Sequence, residues 1–129
     1  MIGKALYGKL TATAAVTALV STRIFPDMAT QDATYPFIVY TNDATQPTDV
    51  KDGASPLDVV TMSVMIYSNS YSQAQDIAAA VRTALDRMTG TVQGVNVQSC
   101  RFEGQNSAQM EFDKHVFVIE QSYVFRHVR

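Results

Sequence analysis

Leu57-Asp58-Val59-Val60-Thr61-Met62-Ser63-Val64-Met65-Ile66-Tyr67, followed closely by Ser70-Tyr71-Ser72-Gln73-Ala74, changes its hydrophobic period from one segment to the next. In the first segment Val60, Met62, Val64 and Ile66 line one side of an extended chain. Val59, Thr61, Ser63, Met65 and Tyr67 line the other, because successive strand side chains point to opposite faces. After Ser70 the apolar residues recur as Ala74, Ile77, Ala78, Val81, Leu85 and Met88. Spacings of three, four or seven place them on one stripe of a helix. Ser70 and Gln73 have the spacing of a capping box, in which each side chain satisfies a free backbone N–H of the first turn. Gly90 stands where a left-handed helix cap is expected. The reading is therefore a strand over residues 57–67 feeding a helix over 71–88.

Upstream, Ile2, Leu6 and Leu10 begin a helical pattern that runs through residues 2–20 in one piece or two. Thr11 or Thr13 is the candidate cap of a second piece. Residues 23–25 are short and extended, and Pro26 ends them because it cannot donate to a ladder. Residues 27–34 read as loop. Residues 35–42 read as a strand with Tyr35, Phe37 and Val39 on one face and Ile38 and Tyr40 on the other. Residues 43–56 hold two prolines, a glycine, three aspartates and a single large apolar residue, Val50. They read as a long polar loop, and loops of that length are usually functional.

Downstream, residues 91–94 read as a turn, 95–102 as a strand, 103–109 as a hairpin connection and 111–126 as a long strand. In that last strand Phe117, Ile119, Tyr123 and Phe125 share a face with Gln121. Val116, Val118 and Val124 share the other with Glu120, Ser122 and Arg126. The element order is α-β-β-β-α-β-β. It predicts an α+β fold, a mostly antiparallel sheet of four to five strands with two main helices packed on one face. At 129 residues, 1–129 is expected to be a single domain.

Composition narrows the function. The chain is 47% hydrophobic and 17% charged, which suits a globular domain. Its net charge of -2 and scattered Lys and Arg lack the basic footprint of a nucleic-acid binder. Cys100 is alone, so no internal disulfide forms, in keeping with a reducing compartment. Lys4 and Lys9 precede an apolar stretch, as in a secretory leader. Thr11, Thr13 and Thr17 interrupt that stretch, its apolar residues are mostly alanine, and the helical spacing starts at Ile2, so a cleaved leader is not expected. No apolar run approaches the ~20 residues that span a bilayer, and no membrane partner is expected.

Each chemically suggestive residue has a plainer role available. His115 and His127 would lie about 40 Å apart on one extended strand, at ~3.3 Å per residue, too far to share a metal. Cys100 sits in a predicted strand with no local base and reads as a small buried hydrophobe. Glu111 and Asp113, at a strand start, and Asp49 and Asp52, in the long loop, read as solvated carboxylates. Neither pair has the pattern of a calcium loop. Gly90, Gly94 and Gly104 are too dispersed to cradle phosphate. Arg82 and Arg87, with Asp86 between them, belong to the polar face of the helix, with interface pairing in an oligomer as the other reading. Hydrolase, zincin and nucleotide-binding motifs are missing. No catalytic, cofactor or metal residue is assigned, and the chain is not expected to be an enzyme.

Two helices cover one face of such a sheet and leave apolar residues on the other. Val59, Val116, Val118 and Val124 are the candidate interface residues there, since a contiguous apolar patch is seldom left in water. Burial under the N-terminal helix or the long loop is the alternative, and the sequence leaves both open.

The order of motifs resembles the tail-terminator (tail-completion, tail-to-head joining) proteins of long-tailed bacteriophages. The resemblance rests on the opening helix, Arg23-Ile24-Phe25-Pro26 and Tyr35-Pro36-Phe37-Ile38-Val39-Tyr40. It continues through Asp52-Gly53, Val64-Met65-Ile66-Tyr67, Val81-Arg82-Thr83-Ala84-Leu85-Asp86, Gly90 and the closing Tyr123-Val124-Phe125. It departs in the polar 43–56 segment and in Phe25, where tyrosine is common. It implies a structural virion protein, assembled in the host cytoplasm, that forms a homo-hexameric ring on the head-proximal end of the tail tube. Such a ring stops tube polymerisation and docks the head connector, or stopper, with DNA only as passing cargo. The loop residues Asp49, Val50, Lys51 and Asp52 are the expected partner contacts. A non-viral α+β binding or regulatory domain, acting as monomer or dimer, and a small enzyme with its site between subunits are the competing readings.

Overall fold

The computed structural model describes residues 2–21, 23–27, 34–50, 53–111 and 116–128, with the side chains of 48–50, 53–55 and 107–111 left aside. The elements in chain order are α1 (Ile2–Ala12), α2 (Ala14–Val20), β1 (Ile24–Pro26), β2 (Phe37–Val50) and β3 (Gly53–Ser68). Then come α3 (Tyr71–Leu85), β4 (Gly90–Val92), β5 (Val95–Glu111) and β6 (Val116–Val128). The α+β class is as expected, but three helices and six strands replace the two and the four to five expected. The strands form one sheet in the order β1-β2-β3-β6-β5-β4, antiparallel except for the β1–β2 pair.

The helices lie against one face. Leu6, Leu10, Val16, Ile77, Val81 and Leu85 share a core with Val60, Met62, Val64 and Ile66 of β3 and with Ile119, Tyr123 and Phe125 of β6. A Cβ on Gly3 of α1 would sit 3.2 Å from the Tyr40 ring on β2. One on Gly8 would sit 2.7 Å from Gln93 Cγ and 3.1 Å from Val92 Cγ1, at the opposite edge of the sheet. One short helix thus touches both flanks, so the sheet curls around α1, and missing side chains let the flanks close on it.

Two stretches read as connections are strands. Residues 43–50 and 53–56, expected as loop, belong to β2 and β3, paired through Thr45↔Val60, Gln46↔Val59, Pro47↔Asp58 and Val50↔Gly53. Pro47 is tolerated because, beyond Tyr40, no described strand pairs with the outer side of β2. Residues 103–109, expected as a hairpin connection, continue β5 through Gln105↔Gln121 and Asn106↔Glu120. Both stretches have poor strand composition and are held by partner strands, since β-propensity depends on context.

Local corrections have local causes. β4 replaces the expected turn, and it joins β5 through Gln93 and Gly94, whose φ values of 51° and 78° are those of a two-residue hairpin turn. Ser70 Oγ accepts from the Gln73 N–H at 3.4 Å as expected. The return contact runs through Ser68, whose Oγ donates to Gln73 Oε1 and accepts from the Ser70 N–H. Helix α3 stops at Leu85 rather than residue 88. The Phe102 N–H donates to Asp86 Oδ1 (3.1 Å) and the Arg87 N–H to the Cys100 carbonyl (2.8 Å), which draws the chain onto the edge of β5. The left-handed residue after the helix is therefore Arg87, φ 65°, while Gly90, φ 105°, opens β4. Thr13 occupies the N-cap position of α2, yet its Oγ1 donates back to the Lys9 carbonyl at 2.7 Å. Thr11 likewise donates to the Tyr7 carbonyl, so neither threonine caps as expected.

Candidate functional site

The face of the sheet turned away from the helices carries the features that the core does not absorb. Its rows follow from the register. Phe37, Tyr67 and Val118 lie level across β2, β3 and β6, and Val39, Met65 and Glu120 form the next row. Thr41, Ser63 and Ser122 follow, then Ala44, Thr61, Val124 and Arg101, then Gln46, Val59 and Arg126. The first rows are aromatic and apolar. Tyr35, Phe37 and Tyr67 stack at ring separations of 5.3 and 4.8 Å, and Phe25 meets Phe37 edge-on at 6.1 Å. Tyr67 Oη donates to Met65 Sδ at 3.7 Å, and burial first, then the Glu120 charge, raises its phenol above the ordinary value.

The middle of the face is acidic. A register shift between Asn42 and Ala44 makes Asp43 the extra residue of a bulge. Its carboxylate accepts from the buried Ser63 hydroxyl, with Glu120 Oε1 3.5 Å from the same oxygen. A hydroxyl has one proton to donate, so it serves one carboxylate at a time. The described side-chain contacts of this serine are with these two carboxylates.

The lower rows are basic. Arg87, Arg101 and Arg126 line a cleft of about 370 Å³ together with Thr89, Ser99, Cys100 and Val124. Arg87 arrives there because the Asp86–Arg87 turn is pinned to β5. Arg101 meets Glu103 at 3.0 Å, an exposed pair. Arg82 is exposed, as read, and its guanidinium lies 4.0 Å over the Phe102 ring. Burial, and then the Asp86 charge, pushes the Cys100 thiol up to about 12. It is therefore a neutral wall group, not a nucleophile, because the thiolate is the reactive form.

The four candidate interface residues all lie on this face, opposite in register to the core residues. Val59 and Val124 are half-buried, whereas Val116 and Val118 are buried within the chain and offer little surface to a partner. Asp49 and Val50 belong to β2, opposite Ala54 and Gly53, so they lie on a strand and not on a loop. Their side chains, and Lys51 and Asp52 altogether, lie outside the described residues, as do His115 and Asp113 and the side chain of Glu111. His127 is buried, and its Nδ1 has no hydrogen-bond partner among the described residues. Among the described residues no three His, Cys, Asp or Glu side chains converge on a metal position, and no helix is long and apolar enough to cross a membrane.

Sequence reading missed the acidic cluster and the arginine cleft. The sequence leaves open which face of β3 matches which face of β6, so the register brings Ser63 and Glu120 together, and Asp43 joins them through a bulge. Arg101 and Arg126 come together through the pairing of β5 with β6, and Arg87 joins them through the turn pinned to β5.

Comparison with known proteins gives this face a context. A family model described as "Tail completion protein gp17" matches residues 4–125. The chain belongs to that family. It is thus a structural protein of a phage-type tail and a component of the virion. A search of the curated proteins by sequence finds no match. Among solved structures, a chain from the "Virion of native gene transfer agent (GTA) particle" superposes with a TM-score of 0.82. The similarity covers 97% of this chain and 92% of that one, at 19% identity, which establishes a common fold. In this chain the fold is the curled six-stranded sheet with its helices on one side, and the helix-free face carries the acidic cluster and the arginine cleft.

Proposed function

We propose that this protein closes the head-proximal end of the tail tube as a ring of six copies, halting tube polymerisation and presenting the surface on which the head connector docks. The observation that carries this reading is the family match over residues 4–125. Tube protein below and connector above are its partners, and DNA passes through the opening as cargo. A net charge of -2 suits a passage that must not grip phosphate. The protein acts by occupying a position, stoichiometrically and without turnover, and it is assembled in the host cytoplasm.

The structure supports a self-associating part in physical terms. Beyond Tyr40 the outer side of β2 has no strand among the described residues, and beyond Val97 the same holds for β5. The β2–β3 ribbon runs out to residues 50 and 53, and the β5–β6 ribbon to 111 and 116. Complementation of a phage lacking this gene tests the proposal, with tails viewed by electron microscopy. Loss of the protein should give tails of uncontrolled length that fail to join heads, and the gene supplied in trans should restore both. Tails of normal length, joined to heads at the usual yield without the protein, would refute it.

A further inference from the structure

Both flanks of the sheet carry charged side chains. On the β1–β2 flank stand Asp27, at the end of β1, and Asp43, on the bulge of β2, both exposed. On the β6–β5–β4 flank stand Arg87, Arg101 and Arg126 around one cleft. Ala44, next to Asp43, and Arg101 belong to one level of the sheet, linked through Thr61 and Val124. They are three strands apart, about 14 Å at ~4.8 Å per strand, too far for the two charges to pair within a chain. Glu103 takes up part of Arg101, but that pair is 76% and 42% exposed, and exposed pairs hold weakly.

We propose that the arginine cleft of one copy receives the acidic β2 flank of the next, with Asp43 set against Arg101 and Arg126. This rests on the ring reading above and names the surface that builds it. The structure selects a second copy as the occupant. The cleft and its counter-charge are both on this chain, at the same level of the sheet and on opposite flanks. A head-to-tail contact pairs them at every interface, and such heterologous contacts form a ring where the rotation between copies closes. Pro47 and the bulge at Asp43 interrupt the outer side of β2, a recognised guard against strand addition, so the contact is made by side chains and not by an extended ladder. Asp43 is exposed, and Ser63 engages one of its carboxylate oxygens. Arg101 and Arg126 are exposed, and a guanidinium fork matches a carboxylate's two oxygens.

The test is a charge swap in the full-length chain, with ring formation read by native mass spectrometry and negative-stain microscopy, in solution and on purified tail tubes. Arg101→Glu and Asp43→Arg should each raise the concentration for half-assembly about tenfold or more, the usual scale for unpairing an interfacial charge. The double variant should recover most of the loss. Arg126→Gln, a milder change, should weaken assembly in the same direction, and thermal unfolding of each variant should match the wild type. Single variants that assemble normally, or a double variant no better than the worse single, would overturn the contact while leaving the ring intact. If Arg101→Glu instead lowers retention of short duplex DNA with assembly unchanged, the cleft serves nucleic-acid phosphate and the proposal is wrong. Wild-type protein that forms no ring, alone or on tubes, would overturn the ring reading itself and this contact with it.

Discussion

Gln121 is fully buried in the face of β6 that meets α3, and its amide is the polar pin of the core. Its Nε2 donates to the Ala78 carbonyl and to Gln105 Oε1, both at 2.9 Å, and its Oε1 accepts from Tyr123 Oη at 2.9 Å. The consequence of removing it can be worked out partner by partner. Ala78 keeps its helical hydrogen bond within α3. Gln105 is exposed and turns to water. Only the Tyr123 hydroxyl, in a residue with 0% exposure, is stranded. Gln121→Leu should therefore cost about 1–3 kcal/mol, the range for one buried unsatisfied group. Tyr123→Phe strands the Gln121 Oε1 instead and should cost a similar amount. The double variant strands neither atom and should cost much less than the sum, a coupling of about 0.5–3 kcal/mol. Burial, with the Cys100 and Asp86 charges, raises the Tyr123 phenol, so it remains a neutral donor across the neutral range and the coupling should not vary with pH there. Urea denaturation of the four proteins, at concentrations where the chain is monomeric and with equal m-values, gives the cycle directly. Additive single costs would show that the Gln121–Tyr123 hydrogen bond contributes nothing and that the pin is misread.

Leu85→Ala should destabilise by about 2–5 kcal/mol, because its side chain is fully buried under the sheet. Arg82→Ala should cost about 0.5–1 kcal/mol through the lost stacking on Phe102, and equal costs at the two positions would mean that the helix face is misassigned. Gly8→Val should cost about 1–3 kcal/mol by overpacking α1 against Val92 and Gln93, measured by denaturant midpoint; an unchanged midpoint would argue against the curled closure. Cys100 releases its proton near its ordinary value of 9.0 when unfolded and at about 12 when folded, so its contribution is present below pH 9 and is lost as pH rises towards 12. Stability should fall over that window, less steeply in Cys100→Ala, and the native thiol should resist disulfide reagents at pH 8. Rapid labelling under native conditions would contradict its burial.

The amphipathic period and the Ser70–Gln73 spacing make α3 legible in the sequence, since both signals involve residues within one or two turns. The parity of β6 is legible for the same reason, including Gln121 among its apolar neighbours. The helical character of residues 2–20 is readable too, with a break near Thr13. The family resemblance drawn from these motifs agrees with the match over residues 4–125.

What the sequence by itself determined, then, was the set of local periods and which residues share a face. Tertiary structure decided where strands continue through residues 43–56 and 103–109, because a ladder's hydrogen bonds come from another strand and leave no period of their own in a polar segment. It decided the end of α3, where Phe102 and Cys100 compete for the backbone and side chain of Asp86 and Arg87. It also decided the charged face. Asp43 reaches Ser63 through a bulge, Arg101 and Arg126 meet because β5 pairs with β6, and Arg87 joins them because its turn is pinned to β5. Those placements depend on register and strand order, which are set by contacts between residues far apart in the chain.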